Sequence, residues 1–203
     1  MHDCSASTDT ATCRSELSGR IWTLLTEKYL GPASRLLAPG FDLKAMCLIA
    51  ALSTLIIVGT MLPLILSGDR FLPRSVVEQA IGLLIALMTL LGHVLGDAAA
   101  AARYALTLLQ VRMTLHRHMF PALFVDIGYR ESPSRNEVIG IALAGCVAQL
   151  LLAAVLCSLI LAFPSLVGSL SMAVLATLGI TSVQLIPCCG SDGAVASAAF
   201  GSG

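Results

Sequence analysis

The chain has 203 residues, of which 57% are hydrophobic and 12% charged, and its mean hydropathy is +0.88. Twelve basic and twelve acidic residues leave a formal charge of zero. So little polar surface cannot cover a soluble domain of this size, and the basic residues are too dispersed, and too matched by acids, for nucleic-acid binding.

Four nearly uncharged stretches dominate: Ala45–Ser67, Ala80–Gly96, Val138–Phe163 and Leu166–Ile186. Each meets or nearly meets the length of about 20 residues that a helix needs to cross the hydrocarbon layer. A membrane β-barrel would show short alternating segments instead. The expected fold is an all-α integral membrane protein with spans over about 44–67, 76–102, 136–163 and 165–187.

In chain order, residues 1–14 read as a disordered tip. They show no apolar run and no basic start, so no cleavable signal peptide is expected. Ser15–Leu30 reads as an amphipathic helix, with Leu17, Ile21, Leu24 and Leu25 at helical spacing and Gly31-Pro32 as its stop. Segment 15–40 suits a headgroup layer, with Trp22 as an anchor, or a partner subunit. The first span follows, with Pro63 near its outer end as a kink. Ser75-x-x-Glu78 and Ser134-x-x-Glu137 are capping-box patterns ahead of the second and third helices. Ala98–Met119 contains neither Gly nor Pro, so 103–135 reads as an inner helical extension followed by a loop. Phe163-Pro164-Ser165 forces a tight hairpin between the last two spans, because one uninterrupted helix would outrun any bilayer. Residues 188–203 read as a Gly/Ala/Ser-rich, disordered tail.

Ten basic residues fall in the N-terminal arm and the middle segment, but only Arg70 and Arg74 fall between the first two spans. The positive-inside rule then places both termini inside. The seven cysteines form no framework: Cys47, Cys146 and Cys157 read as small apolar residues within spans, and Cys188-Cys189 as inert juxtamembrane thiols, with acylation the alternative.

The second span holds the one strongly polar pair, His93 and Asp97, one turn apart on a shared face with Thr89. Ionisable residues at membrane depth are functional candidates. The plainer reading puts Asp97 near the inner headgroups beside Arg103. Gly92, Gly96, Ala99 and Ala100 form a small-residue face for close helix packing. Arg112, His116, Arg117 and His118, with Trp22, are read as lipid-headgroup contacts, cardiolipin among them. Gln149 and Gln184 fall at similar depth in the last two spans and are expected to hydrogen-bond each other.

His93-x-x-x-Asp97 resembles part of the membrane-anchor subunit of succinate dehydrogenase. The likeness covers the residues His93–Asp97, with Ala86 where that family has a haem-ligand His and Gly92 where it has an Arg. It implies a quinone or haem role. With His2, His116 and His118 outside the spans, no bis-His haem forms within this chain.

No catalytic residue, protein-bound cofactor or metal ligand is assigned from sequence; bound phospholipid is the expected ligand. The expected function is a non-catalytic accessory subunit of a multi-subunit membrane complex, of respiratory-chain or ATP-synthase type. Its partners would be other membrane subunits and lipids. The mitochondrial inner membrane is favoured over a bacterial inner or plastid membrane. The alternatives are a small oligomeric channel or transporter component using His93 and Asp97, and a quinone or haem anchor.

Overall fold

The computed structural model describes residues 22–23, 27–68, 71–104, 106–116, 120–128, 134–186 and 192–201. The expectations for 1–21, Arg70, Arg117, His118, Cys188 and Cys189 lie outside the described residues.

Among the described residues, four helices are long and apolar enough to cross a membrane, which makes this a multi-pass, predominantly helical membrane protein. Helix α1 (Glu27–Leu37) and a 3-10 turn (Ala38–Phe41) precede α2 (Leu43–Ser67), the first span. Asp42 caps α2 by accepting from the Ala45 N–H at 2.9 Å. Gly68 closes α2 in the left-handed region at φ 66°, where a residue without Cβ is favoured. Helix α3 (Val76–Arg103) is the second span, α4 (Arg135–Ala162) the third and α5 (Val167–Leu185) the fourth.

The full capping box forms only at α4. There Ser134 Oγ accepts from the Glu137 N–H at 3.3 Å, and Glu137 Oε2 accepts from the Ser134 N–H at 2.9 Å. At α3, Ser75 Oγ accepts from the Glu78 N–H, but Glu78 reaches one residue further back, to the Arg74 N–H at 2.7 Å. Between α4 and α5 the chain reverses through the 3-10 turn Pro164–Leu166.

Helix α4 is the central element, touching α2, α3 and α5, with α3 also lying along α5. Close approach depends on missing side chains. A Cβ at Gly96 would come within 2.6 Å of the Ala144 carbonyl oxygen and 2.8 Å of Ala148 Cβ. Ala98–Ala101 are fully buried around it. Two apolar clusters result. One joins Phe41 and Met46 to Leu90, Val94 and Ala144; the other joins Ile57 and Met61 to Cys157, Ile160 and Val174. The polarity is inverted relative to a water-soluble bundle. Leu55, Leu66 and Leu161 are 69%, 76% and 70% exposed, while Ser53, Ser171, Thr177 and Thr181 are buried. Lipid on the outside accounts for both facts.

Three expectations are corrected. First, α1 runs through Gly31-Pro32 instead of stopping there. Proline removes one backbone bond, but α1 lies against α3 and Ser34 is buried, so packing outweighs that loss. Trp22–Thr23, expected within a helix, forms a short strand β1. Second, the inner helical extension is absent. Helix α3 ends at Arg103, and Thr107–His116 (β2) and Phe120–Gly128 (β3) form an antiparallel hairpin, with β1 on the other edge of β2. Polar and apolar residues alternate strictly from Gln110 to His116, a period of two that favours a strand. The register shift lies between Leu108 and Gln110, where that alternation begins. Pro121 is tolerated because β3 is an edge strand. Third, Asp192–Gly201, expected as disordered tail, is a helix, α6, packed on α4 and α5.

Gly96→Ala is expected to cost about 1–3 kcal/mol, because its methyl group meets backbone. Gly59→Ala, whose Cβ would meet nothing within 4 Å, should not lower stability. Unfolding in mixed micelles distinguishes the two.

Candidate functional site

His93 lies ten residues before the end of α3, and Cys146 eleven residues after the start of α4. The two antiparallel helices therefore place them at one depth, about 15–17 Å from the hairpin end by helical rise. His93 is 2% exposed and Asp97 7%, so both are enclosed by the chain itself. Both side chains point into the bundle.

His93 Nε2 stands 3.3 Å from Asp97 Oδ2 and 3.4 Å from Asp192 Oδ2. Asp192 arrives from the first residue of α6, and the Cys146 thiol donates to its Oδ2 at 3.9 Å, a long and weak contact. His93, Cys146 and Asp192 each offer a ligand atom, and these atoms lie within 4.8 Å of one another. Gly145 admits the arrangement: a Cβ there would overlap the His93 ring and come within 2.6 Å of Asp97 Oδ1.

A second polar layer flanks the first. Thr89 Oγ1 donates to the Ala86 carbonyl at 2.7 Å and lies 3.2 Å from Thr177 Oγ1. Since a hydroxyl carries one proton, Thr177 is the donor to Thr89. The Thr181 hydroxyl is shared between the Thr177 carbonyl at 2.9 Å and Gln149 Oε1 at 3.1 Å. The expected Gln149–Gln184 bond is thus replaced by Gln149–Thr181. Among the described residues, His93 Nδ1, Asp97 Oδ1, Gln149 Nε2 and Gln184 Oε1 are buried without a hydrogen-bond partner.

Electrostatically, two carboxylates face one imidazole nitrogen in a medium of low dielectric. Burial pushes the Asp192 carboxyl up to about 7, and Asp97 adds to the rise, while His93 and the Cys146 contact oppose it. The site therefore holds a proton, or some other cation, more readily than a solvated carboxylate pair does.

The small-residue face of α3 is spent inside the chain. Gly92 faces Leu152, Gly96 faces Ala144 and Ala148, and Ala99 and Ala100 are fully buried. Trp22, Arg112 and His116 lie on β1 and β2 rather than on helices. Cys146 and Asp192 were not singled out by sequence. Cys146 is one apolar-looking residue in an apolar run, and Asp192 sits in a stretch of low complexity. Its being the lone charge after the fourth span was the available signal.

Comparison with family models, curated proteins and solved structures finds no match to this chain. The class rests on the fold: a multi-pass helical membrane protein with an ionisable cluster in its interior.

Thr181→Val leaves Gln149 without its partner and is expected to cost about 0.6–1.7 kcal/mol. Gln184→Leu removes an unpartnered group and should be neutral or stabilising. Unfolding of both variants in the same micelles provides the comparison.

Proposed function

We propose that this protein is a small channel or carrier component that binds and passes a cation or proton at His93 and Asp97. The observation that supports this most is the convergence of His93, Asp97 and Asp192, the first two buried inside the bundle and the third closing on them from its side. Packing alone could be served by the threonine and glutamine pairs, which carry no charge. Ionisable groups are costly at membrane depth and are retained there for work. A mobile cation would neutralise the two carboxylates while bound and leave them poised to bind again.

A second reading is an accessory subunit of a multi-subunit complex in an energy-transducing membrane, with other membrane subunits and phospholipids as partners. It draws support from α2, whose Leu48, Leu55 and Leu66 face outward and would meet either lipid or a neighbouring helix. Its other motive, the small-residue face of α3, is weakened because that face is used within the chain. The quinone or haem reading finds less support, since His93 Nε2 already faces two carboxylates.

In liposomes carrying the purified protein, His93→Ala and Asp97→Asn are each expected to lower gradient-driven proton or cation flux by roughly tenfold or more. Gly59→Ala should leave it unchanged. Equal flux in all four proteins sinks the transport reading. Stoichiometric co-purification with other membrane subunits would then favour the accessory one.

A further inference from the structure

We propose that the cluster is a binding site for one divalent transition-metal ion of the zinc type, held by His93 Nε2, Cys146 Sγ and the Asp192 carboxylate. The proposal rests on the reading of this cluster as a cation site and names the cation. The donors come from three separate helices, α3, α4 and α6, and their ligand atoms gather within 4.8 Å.

The spacing of the donors carries the inference. Around a tetrahedral zinc ion with bonds of about 2.0–2.3 Å, ligand atoms stand about 3.3–3.8 Å apart. Here His93 Nε2 and Asp192 Oδ2 are 3.4 Å apart, and Cys146 Sγ and Asp192 Oδ2 3.9 Å apart. Asp97 Oδ2 is 3.3 Å from the same nitrogen but is not among the donor atoms that gather within 4.8 Å, so it stands beside the site as a neighbouring charge. A charge-assisted hydrogen bond would draw such atoms to about 2.7–2.9 Å. All three donor atoms lie within 4.8 Å of one another, so a single ion is within reach of each.

The donor set selects the ion. Magnesium and calcium prefer all-oxygen sites. Thiolate, imidazole and carboxylate together suit zinc and its tetrahedral relatives. Two positive charges would offset the two carboxylates that otherwise oppose each other across His93. On binding, the Cys146 S–H proton would be lost to solvent as the metal–sulfur bond forms. Asp192 provides the way in: its side chain is 20% exposed, against 2% for His93. Cys157, the other buried cysteine among the described residues, lies in an apolar cluster and serves as an internal control.

Cobalt(II) titration of the full chain in detergent reads the site directly. One equivalent should bind with the intense visible bands of a tetrahedral ion and a near-ultraviolet sulfur-to-cobalt band. Zinc should displace it. Cys146→Ser should remove the sulfur band, and Asp192→Asn and His93→Gln should each weaken binding by at least about tenfold. Cys157→Ser should leave the spectrum unchanged. No cobalt binding by a folded wild-type protein overturns the proposal, as does a sulfur band lost in Cys157→Ser but kept in Cys146→Ser. The two readings fail separately. Proton flux without cobalt binding overturns the metal site and leaves the transport reading standing. Binding without any flux supports the metal site and removes the transport reading.

Discussion

Two carboxylates that meet one imidazole nitrogen inside an apolar bundle constrain everything around them. Asp97 is closed off from water, Asp192 keeps only an exposed edge, and lipid can satisfy neither. Every neighbouring element serves to keep that meeting internal. The leucine-rich faces of α2 and α3 turn outward, while threonine, serine and glutamine turn inward, and Thr89–Thr177 and Gln149–Thr181 pair across helices. The chain is folded so that its rare polar groups find one another.

That internal meeting requires the helices to lie closer than ordinary side chains allow. Gly96 brings α3 onto the Ala144 carbonyl, and Gly145 leaves room for an imidazole ring and a carboxylate against α4. Small residues are thus distributed by need. They stand where backbones touch and where polar side chains must be seated, and both needs fall on the same stretch of α3 and α4. Helix α6 then lies along α4 and carries Asp192 to the cluster from the side. The site belongs to no single helix pair, and neither span of the α3–α4 pair holds it complete.

Much of the fold was legible because membrane spans are long, continuous signals. Helices α2 through α5 begin within two residues of where the apolar runs and caps place them, and the turn at Pro164 follows from length alone. What was not legible had weaker local chemistry. Between Arg103 and Met119, the absence of Gly and Pro favours a helix, whereas the alternation over Gln110–His116 favours a strand; strand pairing across the hairpin decides the contest. Helix α6 hides in a Gly/Ala/Ser stretch whose composition suggests disorder, and packing on α4 supplies what intrinsic propensity does not. Half of the site was therefore readable. His93 and Asp97 declare themselves as charges in a span, but Cys146 passes for a small hydrophobe, and Asp192 is brought near only by tertiary structure.

The position of Asp192 in the chain also sets an order of events during biogenesis. Synthesis runs from N- to C-terminus, so α3 reaches the bilayer with His93 and Asp97 before Asp192 exists. The translocation machinery meets a span with Glu78 at its very start and one aspartate and one histidine in its interior, a burden of about 3 kcal/mol for the aspartate that its leucines offset. The second carboxylate is added only once a hydrophobic shell has been built around the first. Splitting the charge between an early span and a late, unspanning helix lets a cluster too polar to insert as one unit be assembled inside the membrane in instalments.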